Sequence, residues 1–287
     1  MKSRKSILSR RWPRRWKNAA SYIIVGGWSG FSLFFVLWVV FASLKSTRKL
    51  FSKPWSIPYD PAFGNYMKTW VSSRFGDYFL NSLLVVSLSV LVLLIVSTPA
   101  AYVLSRGKFR SRQVISSFLV FGMGVPIPLL FVPLAVIMAK LGLADTLSGL
   151  GLVYVAVSIP FTVFVLQGFF SSLPSELESA ARIDGCKDWQ IFWHVMLPLA
   201  KPGILTVAIL NFVGLWNEFQ LALVLIDSPE NRTLSLGMYS LITSMKYSGG
   251  DWAGLFAGVT IVMIPTIALF LFLSDRMISG ITMGGVK

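Results

Sequence analysis

Along the chain, long stretches without Asp, Glu, Lys or Arg alternate with short clusters of charge. A bilayer-crossing helix needs about 20 consecutive apolar residues. Six stretches meet that length, uncharged but for Glu218 in the fifth, at about 22–44, 79–104, 114–139, 146–172, 203–226 and 253–274. The pattern predicts an all-α polytopic membrane protein with six transmembrane helices. A basic tail over 1–19 precedes a transmembrane domain over 20–277, and a tail over 278–287 follows it. Within 114–139, Gly122, Gly124, Pro126, Pro128 and Pro133 predict a bent helix. Prolines leave carbonyls that neighbouring helices or water must satisfy. Such a helix is either a pathway-lining element or a merely kinked span. Pro160 interrupts the next stretch in the same way.

One segment breaks the pattern. Residues 174–198, PSELESAARIDGCKDWQIFWHVMLP, mix acids, bases and apolar residues at helical spacing. Ser175 with Glu178 three residues on predicts a capping box and a helix start. Leu177, Ala180, Ala181 and Asp184 recur at i, i+3, i+4 and i+7, which places the two alanines on one face. Gly185 supplies the left-handed position that stops a helix. A second short helix is predicted from about Asp188, with Trp189, Phe192, Trp193 and Met196 on one apolar face and Pro198 ending it. Two short helices hinged at a glycine, set between spans, predict a docking element. The bland alternative is an amphipathic loop lying on the membrane face.

Composition agrees with the membrane reading: 55% of the 287 residues are hydrophobic and 13% are charged. The net charge of +14 is not spread over a soluble face, which argues against a nucleic-acid partner and for membrane lipid. Eight of the 26 bases lie in the first 17 residues, and Arg106, Lys108, Arg110 and Arg112 cluster behind the second stretch. With both termini cytoplasmic, 17 bases fall inside and nine outside, as the positive-inside rule expects. The six bases between Lys45 and Tyr78 sit on the unfavourable side of that count. Asp227 to Asp251 is predicted to be a hydrophilic outside loop, and such loops are usually functional or disordered.

The chemistry of an enzyme is missing. The only Gly-Lys, Gly107-Lys108, lacks the rest of a phosphate loop, and neither G-x-S-x-G nor H-E-x-x-H occurs. The single histidine, His194, lies between Trp193 and Val195 and is assigned to packing; the single cysteine, Cys186, precludes an internal disulfide. Neither a metal site nor a cofactor is expected in the chain. Asn217-Glu218, flanked by Trp216 and Phe219, places a carboxylate inside an apolar stretch. At that depth it is costly unless paired or facing water. It is either a translocation-pathway group or a structural contact near the interface.

The spacing in 174–198 resembles the EAA loop of bacterial ABC importer permeases, whose pattern is E-A-A, three residues, G, nine residues, I-x-L-P. Ala180, Ala181, Gly185, Leu197 and Pro198 match in place, Val195 stands for the isoleucine, and Ser179 stands where the family has glutamate. Glu178, about 100° round the helix, is the neighbouring carboxylate expected to substitute. The likeness extends over nearly the whole chain and is closest to the second permease of the carbohydrate (maltose-type) branch. It is carried further by Asn81-Ser82, Ala100-Ala101-Tyr102, Trp216-Asn217-Glu218-Phe219, Arg232-Thr233-Leu234 with Gly237, and the terminal Gly280-Ile281-Thr282 and Gly284-Gly285-Val286-Lys287. The resemblance implies a type I ABC importer permease fold in a bacterial cytoplasmic membrane. It implies a heterodimer with a second permease, two ATPase subunits that hold ATP and Mg, and an extracytoplasmic sugar-binding protein. Glu178, Ser179, Ala180, Ala181, Asp184, Gly185, Leu197 and Pro198 would couple to the ATPase, and Gly284, Gly285 and Lys287 would reach toward it. The segment at 227–251 would touch the binding protein. The competing function is a secondary transporter or channel without an ATPase. The near absence of ionisable residues from the spans, Glu218 apart, argues against an ion relay.

Overall fold

A backbone surrounded by lipid must satisfy its own N–H and C=O groups, so uncharged stretches of this length become helices. A computed structural model describes residues 14–248 and 250–285, with side chains for residue 19, 21–245 and 250–272. Its order is α1 (Arg14–Ser43), α2 (Thr47–Ser52), α3 (Gly64–Ser72), α4 (Phe75–Arg106), α5 (Arg112–Met123), α6 (Phe131–Lys140) and α7 (Leu147–Ser172). There follow α8 (Glu176–Ile183), α9 (Asp188–Ile191), α10 (Leu197–Trp216), α11 (Gln220–Leu225), α12 (Leu234–Ser248) and α13 (Trp252–Gly285). No strand occurs among the described residues. The basic residues 1–13 and Lys287 lie outside the described residues, while Gly284 and Gly285 close the last turn of α13.

Among the described residues, five helices are long and apolar enough to cross a bilayer, and α5 with α6 makes a sixth if counted together. The centre is the pair α4 and α7, with α10 against both, α13 on α10, and α1 on α13. Small groups let α4 and α7 approach: the Ser89 hydroxyl donates to the Gly151 carbonyl at 3.2 Å, as polar small residues do between membrane helices. Buried side chains form three clusters along this core. One is centred on Val86, Leu150 and Tyr154, one on Leu104, Phe170 and Met196, and one on Phe75, Trp216 and Leu234. The outward faces remain apolar, as at Trp28, Leu84, Leu88 and Leu91. Water would penalise such surface, and lipid or a partner subunit would not.

Three expectations change. The bent third helix is two helices at 98°, separated by a 3-10 turn at Ile127–Leu130. Pro126 is extended (φ −62°, ψ 125°), and a proline forces the residue before it away from helix as well. The fifth stretch does not run on to 226: α10 stops at Trp216, and α11 restarts at Gln220. The region 227–251 is no open loop, because α12 fills most of it. Leu234 and Leu236 are buried, and a Cβ on Gly237 would stand 2.1 Å from the Tyr78 ring, so only glycine permits this approach.

Candidate functional site

The segment 174–198 carries two short helices, but its joints differ from the expected ones. Ser175 is itself helical (φ −71°, ψ −20°) and makes no side-chain cap, so the capping box with Glu178 does not form. A one-way cap is seen instead at the second helix, where the Lys187 backbone amide donates to Gln190 Oε1 at 2.8 Å. Gly185 takes the left-handed conformation at φ +85°, with open space where a Cβ would sit. A side chain there would be strained through its backbone, by about 1–2 kcal/mol, rather than through a clash. Pro198 does not end the second helix. The chain passes from α9 through a π turn at Phe192–Met196 into α10, with Pro198 in the first turn of α10. Proline is tolerated in the first turn of a helix, where its missing N–H has the least to bond.

The two faces of the segment are distinct. Ala181, Ile191, Phe192 and Met196 are buried against Ala101, Leu104, Leu166 and Phe170, so one face is seated in the bundle. The two alanines divide: Ala181 is buried and Ala180 exposed. Trp189 and Trp193 leave the expected apolar face of Phe192 and Met196, being 59% and 58% exposed. Ile183 is 87% exposed, and Leu177, Ser179, Asp184, Gly185 and Pro198 are exposed as well, with Leu197 half-buried. Arg182 and Asp188 pair at 3.0 Å across the hinge, both in solvent.

Glu178 does not join the exposed face. Its side chain is 12% exposed and lies 3.6 Å from the Nε of Arg106, itself 16% exposed. Arg106 Nε and Nη2 both donate to the Phe170 carbonyl, at 3.1 and 2.6 Å, and Nη2 also donates to the Leu173 carbonyl. One guanidinium therefore joins the ends of α4 and α7 to α8. The Tyr102 hydroxyl faces the same carboxylate, and its ring packs on Phe170 and Phe192 at 5.5 and 5.1 Å. Removing one partner of a buried ion pair strands the other, which costs up to about 3–5 kcal/mol. Arg106 was visible in the sequence only as one of four clustered bases. Its place as the last residue of a long apolar helix was the signal that could have singled it out.

The other sequence candidates, Asn217 and Glu218, fill the break between α10 and α11. Glu218 accepts from the Tyr154 hydroxyl at 2.7 Å and from the amides of Leu221 and Ala222 at 2.6 and 3.2 Å. The carboxylate thus caps α11 and is bonded to the buried Tyr154. The Asn217 amide donates to the Val213 carbonyl at 2.8 Å from an exposed position. Beyond this break, Asn81 Nδ2 donates to the carbonyls of Glu230 and Arg232 at 2.7 and 3.0 Å, and the Leu234 amide donates to Ser82 Oγ at 2.7 Å. Asp145, left-handed at φ 54°, accepts from the Ser228 hydroxyl and from the amides of Asp227 and Ser228 at 3.0 Å each. The Ser228 bond first, then these amides, hold the Asp145 carboxyl below its ordinary range against the opposing effect of burial.

Comparison with known proteins follows the same lines. Residues 94–282 match the family model described as binding-protein-dependent transport system inner membrane component. The chain is 37% identical over 266 residues to a diacetylchitobiose uptake system permease protein of Streptomyces coelicolor, covering 93% of this chain and 88% of that one. It is 35% identical over 271 residues to the sulfoquinovosyl glycerol transport system permease protein of Agrobacterium fabrum, covering 94% and 92%. Among solved structures, it is similar to a chain of a bacterial ABC transporter involved in the import of the acidic polysaccharide alginate. That likeness has a TM-score of 0.79 at 24% identity and covers 92% of this chain and 98% of that one.

Proposed function

The chain belongs to the family of binding-protein-dependent transport system inner membrane components, and on that premise we propose that it is one permease of a heterodimer in an ATP-driven importer of sugars or oligosaccharides. It would sit in a bacterial cytoplasmic membrane with both termini in the cytoplasm, on two ATPase subunits that hold ATP and Mg. An extracytoplasmic sugar-binding protein would deliver the substrate. The relatives named for diacetylchitobiose and sulfoquinovosyl glycerol support a carbohydrate substrate.

One observation carries the coupling role: the segment 174–198 is seated by one face and bare on the other. Ala181, Ile191, Phe192 and Met196 anchor it, while Leu177, Ala180, Ile183 and Trp189 stand out beside a left-handed glycine turn. An apolar surface on a short helix that is already anchored is what a groove on a partner can grip. ATP-driven closure of a partner moves the permease only through an element with different contacts in the two states. Ser179, Ala180, Asp184, Gly185, Leu197 and Pro198 belong to this element. Gly284, Gly285 and Lys287 are assigned to a secondary contact with the ATPase. Glu178 acts from the inside, and the hydrogen bonds of Glu218 support a structural role for it.

Gly185→Asp is the direct test. The variant should reach the membrane at normal level, lose its co-purifying ATPase subunit, and lose uptake by about tenfold or more, since 1.4 kcal/mol of docking is a factor of ten. A variant that keeps the ATPase and imports normally contradicts the docking role. Uptake by the chain without any ATPase, driven by an ion gradient, would favour the secondary transporter instead.

A further inference from the structure

Helix α4 is fastened at both ends to segments that stand on opposite faces of the bundle. We infer that α4 is the rod through which the 174–198 segment and the 227–234 segment sense each other's position, with Arg106–Glu178 and Asn81 as the positioning residues at its two ends. The inference rests on the reading of 174–198 as the ATPase-docking element.

At the inner end the link is of two-state character. Arg106 spends its hydrogen bonds on the carbonyls of Phe170 and Leu173, and meets Glu178 only as an ion pair at 3.6 Å. Glu178 Oε1 is buried and makes no hydrogen bond in this arrangement. A shift of α8 by under about 1 Å toward α4 would complete a charge-assisted bond, which prefers about 2.7–2.9 Å. The contact energy therefore depends on where a docked partner holds α8. Coupling needs such a differential contact.

At the outer end the link is saturated. One Asn81 amide bonds two carbonyls, those of Glu230 and Arg232, and Ser82 accepts from the Leu234 amide. The Tyr78 ring fills the space that a Cβ on Gly237 would occupy. The 227–234 segment must follow α4 when α4 moves. Between the two ends α4 is one helix, unbroken through Pro99. Asn81 and Arg106 are about 37 Å apart at 1.5 Å per residue. The competing route is α10, which continues covalently from the docking segment and whose Trp216 carbonyl accepts from Ser235 at 3.0 Å. That route begins with the π turn at Phe192–Met196, where the regular helix ladder is interrupted, whereas α4 runs without such a break.

A cysteine reporter separates the two routes. Glu230→Cys is placed in a Cys186→Ser background, which removes the chain's single cysteine. The assembled complex is labelled from outside with an impermeant maleimide, without nucleotide and with ATP–Mg–vanadate. The nucleotide should change the labelling rate by about fivefold or more, the lower range of allosteric couplings. Glu178→Gln and Asn81→Ala should each cut that response to about twofold or less while the ATPase still co-purifies, and combining them should remove nothing further. Sites this far apart otherwise act additively. A response intact in either single variant, or losses that multiply in the double variant, overturns the rod. Loss of the ATPase from Glu178→Gln overturns it differently, by making Glu178 a docking contact. An ATPase that co-purifies with neither the reporter nor the unsubstituted chain shows that the docking reading beneath it has failed.

Discussion

At residue 178 and at residue 218 a glutamate stands beside an interrupted helix, and the two interruptions are built for different ends. Around Glu218 both carboxylate oxygens are bonded. The carboxylate accepts from Tyr154 and from two amides of α11, and the break between α10 and α11 is closed on itself. Around Glu178 one carboxylate oxygen has no hydrogen bond, and its cation is shared with two carbonyls of another helix. The outer face of that segment exposes Ile183 and Trp189. Saturated hydrogen bonding marks a joint meant to hold, whereas partial bonding beside bare apolar surface marks one meant to engage something else. Buried carboxylates alone do not distinguish the two, and the count of donors around each one does.

That contrast can be broken from the saturated side. Glu218→Gln turns an amide NH2 toward groups that are themselves donors, which leaves a buried partner unsatisfied at about 1–3 kcal/mol. The thermal unfolding midpoint of the purified complex should fall, while ATPase association and substrate preference stay as they were. A changed preference at unchanged stability would return Glu218 to the translocation pathway. A smaller effect is expected at Asp145, which holds the 227–231 turn. Its lowered folded-state pKa means that the carboxylate stabilises this turn at neutral pH. The contribution begins to fade below about pH 4, the ordinary Asp value, and is gone once the pH drops through the lowered one. Amide hydrogen exchange at Asp227 and Ser228, corrected for its intrinsic pH dependence, should quicken only on that acid side. Asp145→Asn should show the faster exchange at neutral pH as well.

Much of the architecture was legible in the sequence, because membrane helices are written as long uncharged runs. α7 follows the run at 146–172 to within a residue at its start. The hinge at Gly185 was legible for a similar reason, since a glycine behind a helical repeat has few other uses. What stayed hidden was set by tertiary partners. Glu178 fits a capping box by spacing, but Arg106, 72 positions earlier in the chain, claims it. Pro198 looks like a terminator unless the π turn before it is known. The helix α12 lies in a stretch rich in serine and glycine, and it forms because Leu234 and Leu236 find the sides of α4 and α11. Asp145 carried no motif at all, since its role depends on a segment more than 80 residues away.

Site-specific photo-crosslinking in the assembled complex addresses the division of the 174–198 segment most directly. With the crosslinker at position 183, the account predicts a product with the ATPase subunit; with the crosslinker at position 178, it predicts a product only within this chain. A crosslink to the ATPase from position 178 and none from position 183 would contradict it.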